Sequence, residues 1–272
     1  MPGRRSDVGG MQIGFVLHTN DGWWVRVMTI RKRRDAATWL LISLSAVGLP
    51  CAGATESPPE RETEYAIRWE AVPGAPQTDA AVASLLADAT SDGGDDYEVK
   101  YFDITPPNDA PKGATAILRQ RRKNGKKYEL TFKYRSAAPI ENAKCPLPEP
   151  SETKNEVDVS VAGGGDRKRT YSFSCTSESK SGPPPIPDGL HAHATPCTIS
   201  MHRRKLDTLK VKVELWRIPG SVPILEASRG APDDPGALES FEREVAGPLE
   251  RAGAKPTDRS KTELGSTCSA SE

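Results

Sequence analysis

In the stretch GATAILRQRRKNGKKYELTFKYRS, Gly113 to Ser136, cations recur at every second residue: Arg119 and Arg121 before the turn, Lys133 and Arg135 after it. Side chains two apart share one face of a strand, so this spacing crowds guanidinium and ammonium groups onto a single surface. Such a surface can grip phosphate or another polyanion, because planar guanidinium forks match its oxygens and charge-assisted hydrogen bonds are strong. The plainer reading is an ordinary solvated sheet face.

The turn decides which residues share that face. Asn124-Gly125 invites a two-residue type I′ turn, which opposes Arg121 to Tyr128 and Arg119 to Leu130 and mixes charged with apolar groups on both faces. A three-residue loop, Lys123 to Gly125, opposes Arg119 to Glu129 and Thr115 to Lys133 instead. Leu118, Leu130, Phe132 and Tyr134 then form an apolar face, and Arg119, Arg121, Glu129, Lys133 and Arg135 a charged one. A one-residue slip buries cations, so burial is expected to outvote the turn preference. If the sheet closes on itself the cations point inward and need Glu64, Glu214, Glu226 or a bound anion as counter-charge.

A rival constellation is HAHATPCTISMH, with His191, His193, Cys197 and His202 as metal-ligand types. A Pro-flanked loop whose cysteine is in a disulfide is the simpler account of it. SDGGDD lacks the spacing of a calcium loop. The runs RRKNGKK and HRRK read as solvated hairpin tips or edge protection. G-x-S-x-G, P-loop and dinucleotide fingerprints are absent from the sequence.

The elements that must position these groups alternate with period two. EYAIRWEAV puts Tyr65, Ile67 and Trp69 on one face and Glu64, Ala66, Arg68 and Glu70 on the other. DYEVKYFDI is a second strand, and TDAAVASLLADA between them a short helix capped by Thr78. NEVDVSV and KRTYSFSC form a second hairpin, with Val157, Val159 and Val161 turned inward. TLKVKVELWRI and PILEAS follow as strands, a helix runs from Pro235 to about Ala252 with a bend at Gly247-Pro248, and DRSKTELGS supplies a last short strand. SKSGPPPIPDG reads as a stiff, exposed insertion.

The 272 residues carry 37 Lys plus Arg and 37 Asp plus Glu, but an N-terminal leader distorts that balance. From Met28, four cations, an uncharged run from Ala36 to Leu49 and Ala52-Gly53-Ala54 make the three regions of a signal peptide over 28–54. Residues 1–27 read as a mis-called upstream extension. A mature chain from Thr55 has 30 cations against 34 anions, which argues against nucleic acid as a partner; with the leader gone, no membrane segment is expected. Cys51 leaves with the leader. Cys145, Cys175, Cys197 and Cys268 remain for two disulfides of open pairing, and Cys145, Cys175 and Cys197 are expected at one barrel rim.

The order YFDI, ILRQR, LTFK, LEAS and a late SKTEL, over roughly Glu62 to Gly265, resembles the CYTH or triphosphate-tunnel family. The resemblance implies an eight-stranded antiparallel tunnel in which Arg and Lys hold a triphosphate and Glu hold a divalent metal, Mg or Mn. By position, Arg119 and Arg121 match the family's L-R-x-R pair, Lys133 its L-T-x-K and Lys261 its late S-K. Arg68 is assigned to the same ligand site, and Glu64, Glu214 and Glu226 to the metal. The first strand departs from the family's E-x-E-x-K: Glu64-Tyr65-Ala66-Ile67-Arg68 lacks the second acid, and a frame from Glu62 regains it but loses the cation. Loss of a carboxylate weakens a metal site that must compete with polyphosphate, which points to binding more than turnover.

The expected fold class is therefore α+β, mainly β: an antiparallel CYTH-like barrel or tunnel with two or three short helices, one domain over 55–272 with a Pro-rich insertion near 179–198. The expected function is a secreted or periplasmic domain that binds a phosphorylated or polyanionic ligand in a cationic tunnel. A metal-dependent phosphohydrolase and a purely structural envelope domain are the alternatives. Ala52 and Ala54 suit signal peptidase, so N-terminal sequencing of exported protein should read Thr-Glu-Ser from Thr55; retention of Trp23 and Trp24 would refute the cleavage.

Overall fold

The computed structural model describes residues 17–19, 22–24, 62–87, 93–162, 166–195 and 197–266. It divides into two units, Met1–Thr55 and Glu56–Glu272. In the first, Leu17–Thr19 (β1) pairs antiparallel with Gly22–Trp24 (β2). The expected signal peptide, its cleavage point and Cys268 lie outside the described residues.

The second unit is a closed barrel of nine strands. In chain order these are Glu62–Glu70 (β3), Asp95–Asp103 (β4), Thr115–Lys123 (β5), Lys127–Ser136 (β6), Glu152–Val161 (β7), Arg167–Ser179 (β8), then, after the two-residue His193–Ala194 (β9), Ile199–Leu206 (β10), Val211–Arg217 (β11) and Ile224–Ala231 (β12). Around the ring they run β10-β11-β12-β3-β7-β8-β6-β5-β4, and β4 closes the ring on β10. The strands are antiparallel neighbours except β3 and β7, which run parallel. Parity requires this: an odd number of strands cannot alternate direction all the way around a closed ring. The expected all-antiparallel eight-stranded tunnel is corrected on both points.

The alternation of the sequence is real, but its apolar side faces away from the barrel axis. Tyr65, Ile67, Trp69, Val157, Val159, Val213, Leu215, Leu225 and Ala227 form an outer layer, so Val157, Val159 and Val161 do not point into the barrel as expected. Helices cover this layer. Asp79–Leu85 (α1) is capped by Thr78, whose hydroxyl accepts from Ala81 N. Pro235–Phe241 (α2), capped by Asp234, continues through a π turn, Glu242–Ala246, into Gly247–Arg251 (α3). Pro248 has no N–H to donate and its ring crowds the carbonyl four residues back; the widened turn, in which Gly247 N–H reaches Glu242 O, absorbs that conflict. Phe241, Val245 and Leu249 stay buried along one stripe.

The outer face of β5, β6 and β8 carries a second layer: Leu118, Leu130, Phe132, Tyr134, Phe173 and Cys175. Loops cover it. Ile140 and Leu147 are buried there, and Cys145 is disulfide-bonded to Cys175. The Pro-rich segment also packs here, with Leu190 buried and Ile186 half-buried against the same layer. It is a cover and not the exposed spacer its composition suggests. Cys197 is also disulfide-bonded and packs in a different cluster, with Tyr101 and Ile199.

Inside the barrel, one part of the lumen is apolar. Tyr97, Val99 and Tyr101 stand opposite Lys123, Arg121 and Arg119, and Trp216 opposite Met201, so these residues share the inward face with the cations. The final segment, Lys261–Ser266, is a helix (α4) and not the expected strand. It lies over this apolar part, where Gly265 approaches so closely that an added Cβ would come within 2.4 Å of the Tyr101 ring. Only glycine allows that contact.

The charged hairpin keeps the expected faces in a different register. Arg119 opposes Thr131, Arg121 opposes Glu129, Thr115 opposes Arg135 and Lys123 opposes Lys127. Asn124 and Gly125 both have positive φ, as a type I′ turn requires, and Lys126 N donates to Lys123 O at 2.9 Å. Lys126 is one extra residue beyond that turn, and it restores the even count that puts all the cations on one side. Turn preference and burial are both met. Removing Lys126 leaves Asn124-Gly125 as a two-residue turn with Lys123 still opposite Lys127, so stability should hold within about 1 kcal/mol. Removing Gln120, inside the strand, turns one arm's cations into the outer apolar layer and should abolish the cooperative thermal transition seen by circular dichroism.

Candidate functional site

A row of charges crosses four adjacent strands of the lumen wall: Arg203 on β10 opposes Glu214 on β11, which opposes Glu226 on β12, which opposes Arg68 on β3. Directly opposed side chains in neighbouring strands are close enough to interact, so the two outer pairs attract and the central pair of carboxylates repels. Lys261 resolves the repulsion from α4, its Nζ lying 2.7 Å from Glu214 Oε2 and 2.6 Å from Glu226 Oε1. Arg203 donates to Glu214 Oε1 from Nε at 2.9 Å and Nη2 at 2.7 Å, Trp216 Nε1 donates to Glu214 Oε2 at 2.9 Å, and Arg68 donates to Glu226. Glu214 and Glu226 are only 5% and 2% exposed.

Burial alone raises a carboxyl pKa. Here it is outweighed: Lys261 and Arg203 hold Glu214 well below its ordinary value, and Arg68 and Lys261 hold Glu226 below its own. Burial lowers Lys261, yet Glu214 and Glu226 raise it on balance. Glu64 behaves oppositely, pushed up by burial and by Glu226, although Ser228 Oγ donates to it at 3.0 Å.

The facing wall, on β5, β6 and β7, is less well compensated. Arg121 pairs with Glu129 at 2.8 Å, and Lys133 with Glu156 at 3.0 Å and Asp158 at 3.6 Å. Arg135 has Asp158 at 3.6 Å. Arg119 has no carboxylate in ion-pair reach among the described residues. The Nε atoms of Arg119, Arg121 and Arg135 are buried without a hydrogen-bond partner, an uncommon condition for buried donors. Burial and the neighbouring Arg119 lower the Arg121 pKa to about 10. The Tyr97 ring lies between the two walls, 5.6 Å from the Arg121 guanidinium carbon and 5.0 Å from that of Arg203.

These walls enclose a cavity of about 300 Å³, lined by nine Lys and Arg and six Asp and Glu. Arg68, Arg119, Arg121, Lys133 and Lys261, together with Glu64, Glu214 and Glu226, all border it. The sequence reading missed Arg203, hidden in the run HRRK: it faces the lumen, while its neighbour Arg204 faces the other way to Asp79 at 2.5 Å. Glu156 and Asp158 were also missed, although their alternation with the buried valines carried the signal. His202 bonds Asp96 at 2.8 Å, away from this cavity. No group of three His, Cys, Asp or Glu suited to a metal occurs among the described residues.

Glu64, Glu214 and Glu226 therefore do not fit a divalent metal as they stand, because the ammonium of Lys261 already occupies the space between the two buried carboxylates.

No protein-family model and no curated protein matches the chain. Among solved structures it is similar to the PH1819 protein from Pyrococcus horikoshii OT3, at 13% identity over 74% of this chain and 97% of that one, with a TM-score of 0.41. The PH1012 protein from the same organism is similar at 16% identity, 74% and 98% coverage and a TM-score of 0.41. A conserved hypothetical protein from Pyrococcus furiosus gives 16%, 74% and 99%, and 0.38.

Glu226→Ala takes from Arg68 its paired carboxylate and leaves Lys261 with Glu214 alone, and should cost about 3–5 kcal/mol in urea unfolding. The folded pKa values of Glu214 and Glu226 lie below the ordinary 4.5, so their stabilisation is full above that pH and is lost as pH falls through the lowered values. The Lys261 value lies above its ordinary 10.5, so its share is full below that pH and is lost as pH rises through the raised value. Urea midpoints should therefore fall at both ends for the wild type and change less with acid in Glu226→Ala.

Proposed function

We propose that the barrel is an exported CYTH-like tunnel domain that binds a phosphorylated or otherwise polyanionic ligand in its lumen without hydrolysing it. The observation that carries this reading is Arg119, without a carboxylate in ion-pair reach among the described residues and with its Nε buried and unpartnered, beside Arg121 and Arg135, whose Nε atoms are also buried and unpartnered although each has a carboxylate in reach. Three guanidinium groups on one wall of a cavity with surplus positive charge form a fork-like surface for phosphate oxygens. A bound anion supplies the missing acceptors and relieves the repulsion between Arg119 and Arg121.

The opposite wall contributes shape and rigidity. Its charges are already satisfied among themselves, so they hold their places whether or not an anion is present. Binding without turnover follows from the same arrangement: Glu214 and Glu226, the acids best placed to support hydrolysis, are engaged by Lys261, Arg203 and Arg68. The cavity of about 300 Å³ is at the small end for ligand sites, which suits a compact anion.

Calorimetric titration with tripolyphosphate in metal-free buffer should show one site whose affinity falls as salt rises. Arg119→Ala combined with Arg121→Ala should weaken it by roughly a hundredfold or more, at about 1.5–3 kcal/mol per charged hydrogen bond lost. Equal binding by wild type and double variant would refute the site, and release of inorganic phosphate on adding Mg or Mn would instead favour the phosphohydrolase.

A further inference from the structure

The pair Glu214 and Glu226 poses a problem that the chain solves in an unusual place. Two carboxylates directly opposed on neighbouring strands and almost fully buried repel one another strongly in a low-dielectric surrounding. A divalent ion held between them is one remedy. In this protein the remedy comes from the C-terminal helix, whose first residue, Lys261, places an ammonium 2.7 Å and 2.6 Å from one oxygen of each acid. That ammonium is fixed in three ways: by the two carboxylates, by the Trp216 ring at 4.9 Å, and by α4 itself, which Gly265 seats against Tyr101 and Ile199.

We propose that Lys261 is a built-in replacement for a divalent cation: it completes the lumen without metal, and removing its charge uncovers a divalent-cation site between Glu214 and Glu226. This goes beyond the anion reading and does not depend on it.

The charge count supports the exclusion. Arg203, Arg68 and Lys261 bring three positive charges to two carboxylates, so an arriving metal ion meets a row that is already net positive. It also has to displace an ammonium anchored by the fold. Without that ammonium, Arg203 and Arg68 still hold the outer oxygens of the two acids. The inner oxygens, Glu214 Oε2 and Glu226 Oε1, are left facing the vacated position, and the row is electrically neutral. Two carboxylate oxygens with the remaining positions filled by water is a common way for a protein to hold a small hard cation.

The test is titration of the full chain with Mn²⁺ alone, followed by the electron paramagnetic resonance of the free ion, with no anion ligand present. Wild type should show no saturable site. Lys261→Met, which keeps length but removes charge, should gain one, with affinity roughly tenfold or more above any wild-type binding, and Glu226→Gln in that background should abolish the gain. Lys261→Arg, which keeps the charge, should gain nothing. If Lys261→Met does not fold by circular dichroism, Lys261→Gln, which retains a donor between the acids, makes the same comparison. A saturable wild-type site lost in Glu226→Gln overturns the proposal even if neither neutral variant folds, and so does a folded neutral variant that gains no Mn²⁺. Because no anion is added, a failure of tripolyphosphate to bind leaves this result unaffected.

Discussion

Two buried carboxylates set face to face across neighbouring strands, with one ammonium between them, govern how this barrel is arranged. Glu214 and Glu226 could not both be ionised and buried without compensation. Arg203 and Arg68 extend the row to four strands, and Lys261 arrives from the end of the chain to supply the last charge. The row binds β10, β11, β12 and β3 together through side chains as well as through backbone hydrogen bonds, and it places α4 over the lumen. Buried ion networks of this kind are weak sources of net stability but give geometric specificity in some systems. Here the specificity is positional, since the row fixes where the C-terminal helix must sit.

Because every charged group of that wall has a partner within it, the facing wall is left with the unpartnered donors. Arg119, Arg121 and Arg135 have fewer acceptors than their guanidinium groups can use, and the Arg121 proton is held less firmly than is usual for arginine. The lumen is thus divided by function: one side settles its own electrostatics and braces the fold, while the other keeps unspent positive charge. The apolar cluster around Tyr97, Tyr101, Ile199 and Trp216 fills one part of the interior and bounds the charged chamber on that side.

Much of this was legible in the residues. The face shared by Arg119, Arg121, Lys133 and Arg135 followed from parity, because an apolar layer on one side tolerates only one assignment of the alternation. Exact register did not follow, since adding or removing two residues preserves the faces and the sequence holds nothing to count them. Arg203 escaped because a run of four polar residues hides its own alternation. The helix at Lys261–Ser266 was read as a strand because so short a segment carries too little periodicity to separate the two. The Pro-rich cover was misjudged from composition: Ile186 and Leu190 were the informative residues, and the prolines around them obscured that. The parallel β3–β7 pair could not be seen at all, as it depends on how many strands close the ring.

That parallel seam bears on the order in which the molecule can assemble. β3 is the first strand of the barrel to leave the ribosome, yet both its neighbours lie far along the chain: Ile67 sits beside Val161 on one side and Ala227 on the other. The hairpins β5–β6, β7–β8 and β10–β11 can each form from local contacts, but β3 has no local partner and is flanked on both sides only once β12 has been made. Pairings between distant residues form slowly because loop closure must precede any reward. The earliest strand is therefore among the last to be paired on both sides, and a chain still emerging stays an open sheet with two unsatisfied edges until β12 arrives.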